Sequence, residues 1–477
     1  MKLLFKDAFI NGQWHSAINR RFKVTNPATQ SVIAEVTDCG AVETRWAIHA
    51  AHEALPAWSA LTAAARGKIL QRWFELIDEQ AEALAQLLTT EQGKAIAEAR
   101  GEVAYGASFL RWYAAEAERV YGDTIPATKS DQRITILRQP IGVVAAITPW
   151  NFPVAMITRK VGPALAAGCT VVVKPAEDTP LCALALAHLA DQAGLPAGVL
   201  NVVPTSDPAA VGETLASDQR VRKLSFTGST DVGKLLMKQC ADTVKKLSLE
   251  LGGNAPFIVF ADADIPGAVA GAMASKYRNA GQTCICANRF YVHASVATRF
   301  KQSLVAAVAD LVVGDGRVEG TDIGPLIHQS AAKRVRDVVN QAVQAGATAE
   351  PTWVVKDSND NFVPPVVLSN IQHPEDLHDV ELFGPVAPIF TFTEESEVIA
   401  AANNTQYGLA AYFYGKDYAQ IWRVAEALDY GMVGINTGAI STAVAPFGGV
   451  KESGFGREGG KYGIEEYLVT KYLCWQL

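Results

Sequence analysis

Apolar and polar positions change rhythm several times along the chain. Residues 1–40 alternate in short bursts, and Asn11-Gly12 between apolar runs predicts a hairpin turn. From Ala41 to about Val120, Ala, Glu, Leu and Arg recur at helical spacing, which predicts helices broken near Pro56 and Gly93. Between Gly122 and Pro140 the run Arg133-Ile134-Thr135-Ile136-Leu137-Arg138 alternates strictly. Such a ribbon is either an arm that pairs with another subunit or an ordinary edge hairpin.

From Ile141 to about Gly252 the rhythm becomes strand then helix. Apolar runs at Val143–Ile147, Cys169–Val173, Val199–Val203 and Lys223–Phe226 are separated by Ala-rich helical stretches such as Leu181 to Ala193. Continuous apolar strands between helices predict a parallel sheet covered on both faces. Ligands of such sheets bind at the carboxyl ends of the strands, so the residues just after each run carry the chemistry. A second alternation, Phe257 to about Gly434, predicts another α/β unit packed closely on the first. The tail from Tyr467 to Leu477 reads as a strand able to dock on the ribbon near residue 135.

Composition narrows the partners. The chain has 477 residues, 49% hydrophobic and 19% charged, long enough for two or more domains. A formal net charge of −7 argues against nucleic acid or an anionic membrane surface. Seven scattered cysteines, without a CxxC pair, favour a reducing compartment over a disulfide framework. The start is too short and too soon charged for a signal peptide, and no run suits a membrane span. A cytoplasmic location is expected.

Candidate chemistry centres on Gly281-Gln282-Thr283-Cys284-Ile285-Cys286, which sets a thiol among small and polar neighbours. A thiol reacts only as thiolate, so a base and an oxyanion donor are needed elsewhere. Thr148-Pro149-Trp150-Asn151-Phe152-Pro153 follows the first strand and fixes a side-chain amide between prolines and aromatics, either a structural turn or an oxyanion donor. Lys174-Pro175-Ala176-Glu177 ends the second strand and could grip ribose hydroxyls, or form a solvated ion pair. Leu249-Glu250-Leu251-Gly252-Gly253-Asn254 holds a carboxylate in an apolar run, where burial would raise its pKa toward that of a general base. Glu381-Leu382-Phe383-Gly384-Pro385 repeats that theme. Two nucleotide signatures are discounted. Gly228 to Lys234 has P-loop spacing, but Leu235 stands where a Mg²⁺-binding hydroxyl belongs; Thr227-Gly228-Ser229 before a helix still suits a diphosphate. Gly454-Phe455-Gly456-Arg457-Glu458-Gly459 matches GxGxxG with no βαβ unit after it, and reads as a tight loop.

Taken together, P-W-N-F-P, K-P-A-E, F-T-G-S-T, L-E-L-G-G-N, G-Q-T-C, E-L-F-G-P and P-F-G-G-V-K-E-S-G resemble the aldehyde dehydrogenase superfamily, in order and spacing. Ala155–Lys160, Cys284-Ile285-Cys286 and Gly456–Gly463 resemble its succinate-semialdehyde dehydrogenase branch. The resemblance implies a Rossmann-like parallel-sheet cofactor domain (1–121 and 141–252), a second α/β catalytic domain (253–452), a small β oligomerisation arm (122–140 and 466–477) and a connecting segment (453–465). It implies Cys284 as nucleophile, Glu250 as general base and Asn151 as oxyanion donor. Thr148, Trp150, Asn151, Lys174, Glu177, Gly228, Ser229, Leu251, Glu381 and Phe383 would contact the cofactor, and no metal is needed. Arg159, Arg278 and Ser441 resemble the branch's anchors for a distal carboxylate, although structural ion pairing of either arginine is an alternative. A homodimer or homotetramer is expected.

The cofactor choice can be argued from charge. Glu177 would face the 2′-phosphate of NADP, and like charges about 4 Å apart repel by roughly 4 kcal/mol at an effective dielectric of about 20. NAD is therefore expected to be preferred, with NADP possible. The expected reaction is oxidation of succinic semialdehyde to succinate through a cysteine thiohemiacetal and thioester. Rivals are a longer semialdehyde acid such as glutaric semialdehyde, a CoA-acylating enzyme that would not need Glu250, and a crystallin-like structural protein that would not need Cys284, Glu250 and Asn151. Cys286 is either a packed side chain or the partner of Cys284 in an oxidative switch.

Overall fold

The apolar runs become strands whose faces are both covered: every residue of Val143–Ile147 and Thr170–Lys174 is buried. A computed structural model describes residues 3–16, 20–351, 361–372, 377 and 380–477. Its first sheet has eight strands in the spatial order Gly454–Phe455, Lys246–Glu250, Val221–Thr227, Val143–Ile147, Thr170–Lys174, Leu200–Val202, Ala8–Ile10 and Gln13–His15. The five strands from Lys246–Glu250 to Leu200–Val202 run parallel. Their register aligns Ile147 with Lys174 and Thr227 with Glu250, which brings four candidate segments to one sheet edge.

Helix Pro153–Ala167 lies on this sheet with all of its residues buried, begins on Pro153 and ends at Gly168 in the left-handed region (φ 94°). The Asn11-Gly12 turn joins Ala8–Ile10 to Gln13–His15 with both residues at positive φ, the mirror-image turn that matches strand twist. Gly93 closes helix Ala81–Gln92 at φ 97°, as expected. The expected break at Pro56 is absent: helix Ala41–Ala60 runs through it. Thr44, Ala47, Ile48, Ala51 and Trp58 bury one face of that helix, while Pro56 and His52 are exposed, so water can serve the carbonyl that loses its donor.

A four-residue crossing, Leu251 to Asn254 after Glu250, leads into the second sheet. Its seven strands are ordered Thr348–Glu350, Val366–Ser369, Val386–Phe392, Ala287–His293, Ala255–Val259, Ala410–Tyr414 and Met432–Ile435, parallel except for the first pair. A third sheet pairs Gln132–Pro140 with Leu468–Gln476, placing Leu473 opposite Thr135, and adds Asp123–Ile125. It exposes Leu137, Val469, Tyr472, Trp475 and Leu477. Residues 453–465 do more than connect, because Gly454–Phe455 pairs antiparallel with Lys246–Glu250 and sets Gly454 beside Glu250.

Candidate active site

The segment carrying Cys284 is held rigidly. Asn279, Ala280 and Gly281 follow one another at φ 50°, 54° and 77°, a left-handed run that only strong packing sustains. At Gly281 a Cβ would lie 2.2 Å from the Gly384 carbonyl oxygen, so the close approach requires glycine. Gln282 Nε2 donates to the Asn279 carbonyl at 3.2 Å, and its Oε1 accepts from Ile327 N–H at 3.0 Å. The Tyr412 hydroxyl donates to the Ile285 carbonyl at 2.8 Å. Gly253 packs on the nucleophile's own backbone, since a Cβ there would lie 2.1 Å from the Cys284 carbonyl oxygen. Burial pushes the Cys284 thiol up to about 12; Arg159 pulls it down, while Glu250 and Glu381 reinforce the rise. The resting group is therefore a thiol, and activation needs a base or a nearby positive charge. Cys286 is buried, 3.4 Å from Lys276 Nζ, and both thiols are free.

Asn151 sits in the buried turn between strand Val143–Ile147 and helix Pro153–Ala167. Its Nδ2 donates to the Gln282 carbonyl at 3.1 Å, two residues before Cys284, leaving a second N–H for a ligand. Glu250 is buried at the end of its strand, and its Oε2 has no protein partner. Burial, then the charge of Glu458, hold its carboxyl well above the usual range; Arg159, Lys160 and Arg457 act in the opposite sense. Gly448 makes room for it, since a Cβ there would lie 2.9 Å from Glu250 Oε1.

Two cavities border the nucleophile segment, one at Cys284 and the other at Thr283 and Ile285. One of about 550 Å³ is lined by Trp150, Asn151, Thr227, Gly228, Ser229, Leu251, Cys284, Glu381 and Phe383. Ser229 caps helix Thr230–Cys240, accepting from Val232 N–H at 3.4 Å, so a helix N-terminus faces the cavity as a diphosphate would require. Thr227 Oγ1 and Thr148 Oγ1 are buried without protein partners. Glu381 is buried, which raises its carboxyl to about 7 against the hydrogen bond from Gly253 N–H at 3.2 Å. Trp150 and Phe383 meet edge to face at 5.6 Å, with Phe383 at φ 47°. Lys174 is buried, and its Nζ pairs with Glu177 at 3.0 Å. The P-loop lysine position is engaged elsewhere, as Lys234 pairs with Glu452 at 2.8 Å.

The other cavity, about 740 Å³, is lined by Glu98, Arg278, Thr283, Ile285, Tyr412 and Ile440 among others, and Ser441 follows the last of these. The guanidinium of Arg278 lies over the Phe152 ring at 4.7 Å and meets no acceptor among the described residues. The second arginine is different. Arg159 is buried, stacks on Phe447 at 4.2 Å, and shares the carboxylate of Glu458 with Lys160 in contacts of very short range. Burial opposes charge on Glu458, but these two cations hold its carboxyl below the usual range.

Sequence reasoning missed Glu458, which it left inside a tight loop, and it missed Lys94, Glu98 and Glu102. Glu98 and Glu102 are spaced by four, a local hint that they share a helix face, whereas Lys94 lies just before that helix. Their contacts reach Asn151, Asn279 and the start of helix Pro153–Ala167.

A parallel α/β sheet whose helix N-terminus faces one side of a cavity, with a thiol on the other, is the construction of a dinucleotide-dependent dehydrogenase. Comparison with known proteins agrees: residues 14–473 match the aldehyde dehydrogenase family, and the chain belongs to it. It is 57% identical to a glutarate-semialdehyde dehydrogenase of Pseudomonas putida, covering 99% of this chain and 98% of that one. It is 56% identical to the succinate-semialdehyde dehydrogenase [NADP(+)] of Escherichia coli, again over 99% and 98%. The crystal structure of succinate-semialdehyde dehydrogenase from Burkholderia pseudomallei, 55% identical, superposes with a TM-score of 0.98 over 100% of this chain and 99% of that one.

Proposed function

We propose that the protein oxidises succinic semialdehyde to succinate, with Cys284, Glu250 and Asn151 carrying the chemistry. The single observation behind the substrate class is Arg278, a guanidinium bordering the larger cavity with no acceptor among the described residues. A substrate's distal carboxylate would supply that acceptor in a charge-assisted pair, with Ser441 nearby. A nicotinamide dinucleotide would supply the hydride acceptor, and Thr148, Trp150, Lys174, Glu177, Gly228, Ser229, Leu251, Glu381 and Phe383 would hold it. Glu250, whose charge acts on Cys284, takes the thiol proton and passes it to water; the thiolate then adds to the aldehyde carbon, and the oxyanion is received by the Asn151 amide and the Cys284 N–H. Hydride departure leaves a thioester on Cys284. Glu250 then takes a proton from the water that hydrolyses it.

Glu177 supports NAD as the preferred cofactor, since its carboxylate would oppose a 2′-phosphate, although a close relative bears NADP(+) in its name. Glutaric semialdehyde is the second reading, favoured by the name of the 57% identical relative. The exposed apolar side chains of the third sheet support a homo-oligomer, and cysteines that are all free support a reducing, cytoplasmic location. The test is kcat/KM for succinic semialdehyde, glutaric semialdehyde and butanal, each with NAD and NADP. Succinic semialdehyde with NAD is expected to lead; butanal in the lead would overturn the substrate class and leave the thioester chemistry standing.

A further inference from the structure

Lys94, two residues before helix Ile96–Glu116, and Glu98 and Glu102 on its first turns converge on the oxyanion turn. Lys94 and Glu102 form a buried ion pair, each about 2% exposed. Lys94 Nζ also donates to the backbone carbonyl of Asn151 at 2.8 Å and lies 3.9 Å from the centre of the Phe152 ring. The same carbonyl accepts from Asn279 Nδ2 at 3.0 Å. Glu102 Oε1 accepts from Val154 N–H at 2.9 Å and Ala155 N–H at 3.4 Å, the first turn of the helix after Asn151. Glu98 Oε1 accepts from Asn279 N–H at 2.8 Å, securing the left-handed residue that bridges to the nucleophile segment.

Folding alone does not call for this arrangement. A buried ion pair is often replaceable by apolar side chains with no loss of stability, because desolvation offsets the attraction. An apolar pair could not hold a carbonyl, however. With Lys94 and Asn279 on its carbonyl and Gln282 on its side-chain amide, Asn151 is clamped at both ends. A group placed about 1 Å wrong can lose about 10²-fold in rate, so such a clamp has a kinetic use.

We propose that Lys94 is a positioning residue for the oxyanion donor, fixing the carbonyl of Asn151 while Glu102 holds the Lys94 side chain in place. The proposal rests on the reading of Asn151 as that donor. The test compares K94M, K94R, the double variant K94M/E102L, N279A and N151A by thermal unfolding and by kcat and KM for succinic semialdehyde. K94M leaves Glu102 buried and unpaired and should melt early; the double variant removes both charges and should recover much of the melting temperature. Its kcat should nonetheless stay at least about 10-fold low, with KM within about threefold, and K94R should retain more rate than K94M. A double variant with wild-type melting and wild-type kcat would make the pair purely structural and overturn the proposal. If the double variant does not fold, N279A decides, since it keeps the ion pair and removes the other donor; an unchanged kcat there also overturns it. N151A separates the two ideas. It should lose about 10²–10³-fold, and wild-type rate in N151A would sink the oxyanion reading itself.

Discussion

Replacing Arg278 by leucine would test the substrate reading most directly, because this side chain makes no hydrogen bond among the described residues. Its guanidinium has no hydrogen-bond acceptor among the described residues, lies 4.7 Å over the Phe152 ring, and its charge acts on the buried carboxyl of Glu98. A partly exposed cation–π contact contributes about 0.5–1 kcal/mol, so R278L should melt close to the parent protein. A hydrogen bond to a charged group contributes about 1.5–3 kcal/mol, which corresponds to about 10–150-fold in kcat/KM for succinic semialdehyde. Butanal has the same chain length without the carboxylate and should lose less than about threefold. The assay is initial-rate formation of reduced cofactor, with both aldehydes at saturating cofactor. Arg159 provides the contrast. Its partner Glu458 is buried, and breaking a buried pair costs about 3–5 kcal/mol, so R159M should melt early and slow both aldehydes together. Equal losses on both aldehydes in R278L would refute the argument, because the residue would then be supporting the site and not recognising a carboxylate.

Glu250→Gln should release about one equivalent of reduced cofactor per Cys284 in a burst, then turn over about 10²–10⁴-fold more slowly, as seen by stopped flow. Only the carboxylate can accept water's proton, and burial with Glu458 raises the Glu250 pKa, so hydrolysis should quicken as pH rises through a midpoint above the usual glutamate range. A pH-independent hydrolysis rate would count against Glu250 as base. Glu177→Ser should move the NADP to NAD ratio of kcat/KM upward by about 10-fold; the bare repulsion of roughly 4 kcal/mol is cut down by water around a side chain that is 43% exposed. An unchanged ratio would show that Glu177 does not face the 2′ position.

What the chain determines by itself is everything set by short-range sterics and burial. Val143–Ile147 announces a doubly covered strand because a solvated face would need polar residues, and Asn11-Gly12 announces its turn because both residues tolerate positive φ. The strand-end motifs are legible for the same reason: a parallel sheet sends them to one edge. The helix through Pro56 is not legible locally because its buried face, which outweighs one missing hydrogen bond, belongs to contacts outside the local window. Only the tertiary structure could separate the two arginines, since Arg159 and Glu458 are far apart in the chain and meet where strand Gly454–Phe455 closes the first sheet. The same holds for Lys94, whose partners Asn151 and Asn279 lie on other segments. Buried charges choose partners by proximity in a medium that cannot solvate them, and proximity between distant residues is a property of the fold.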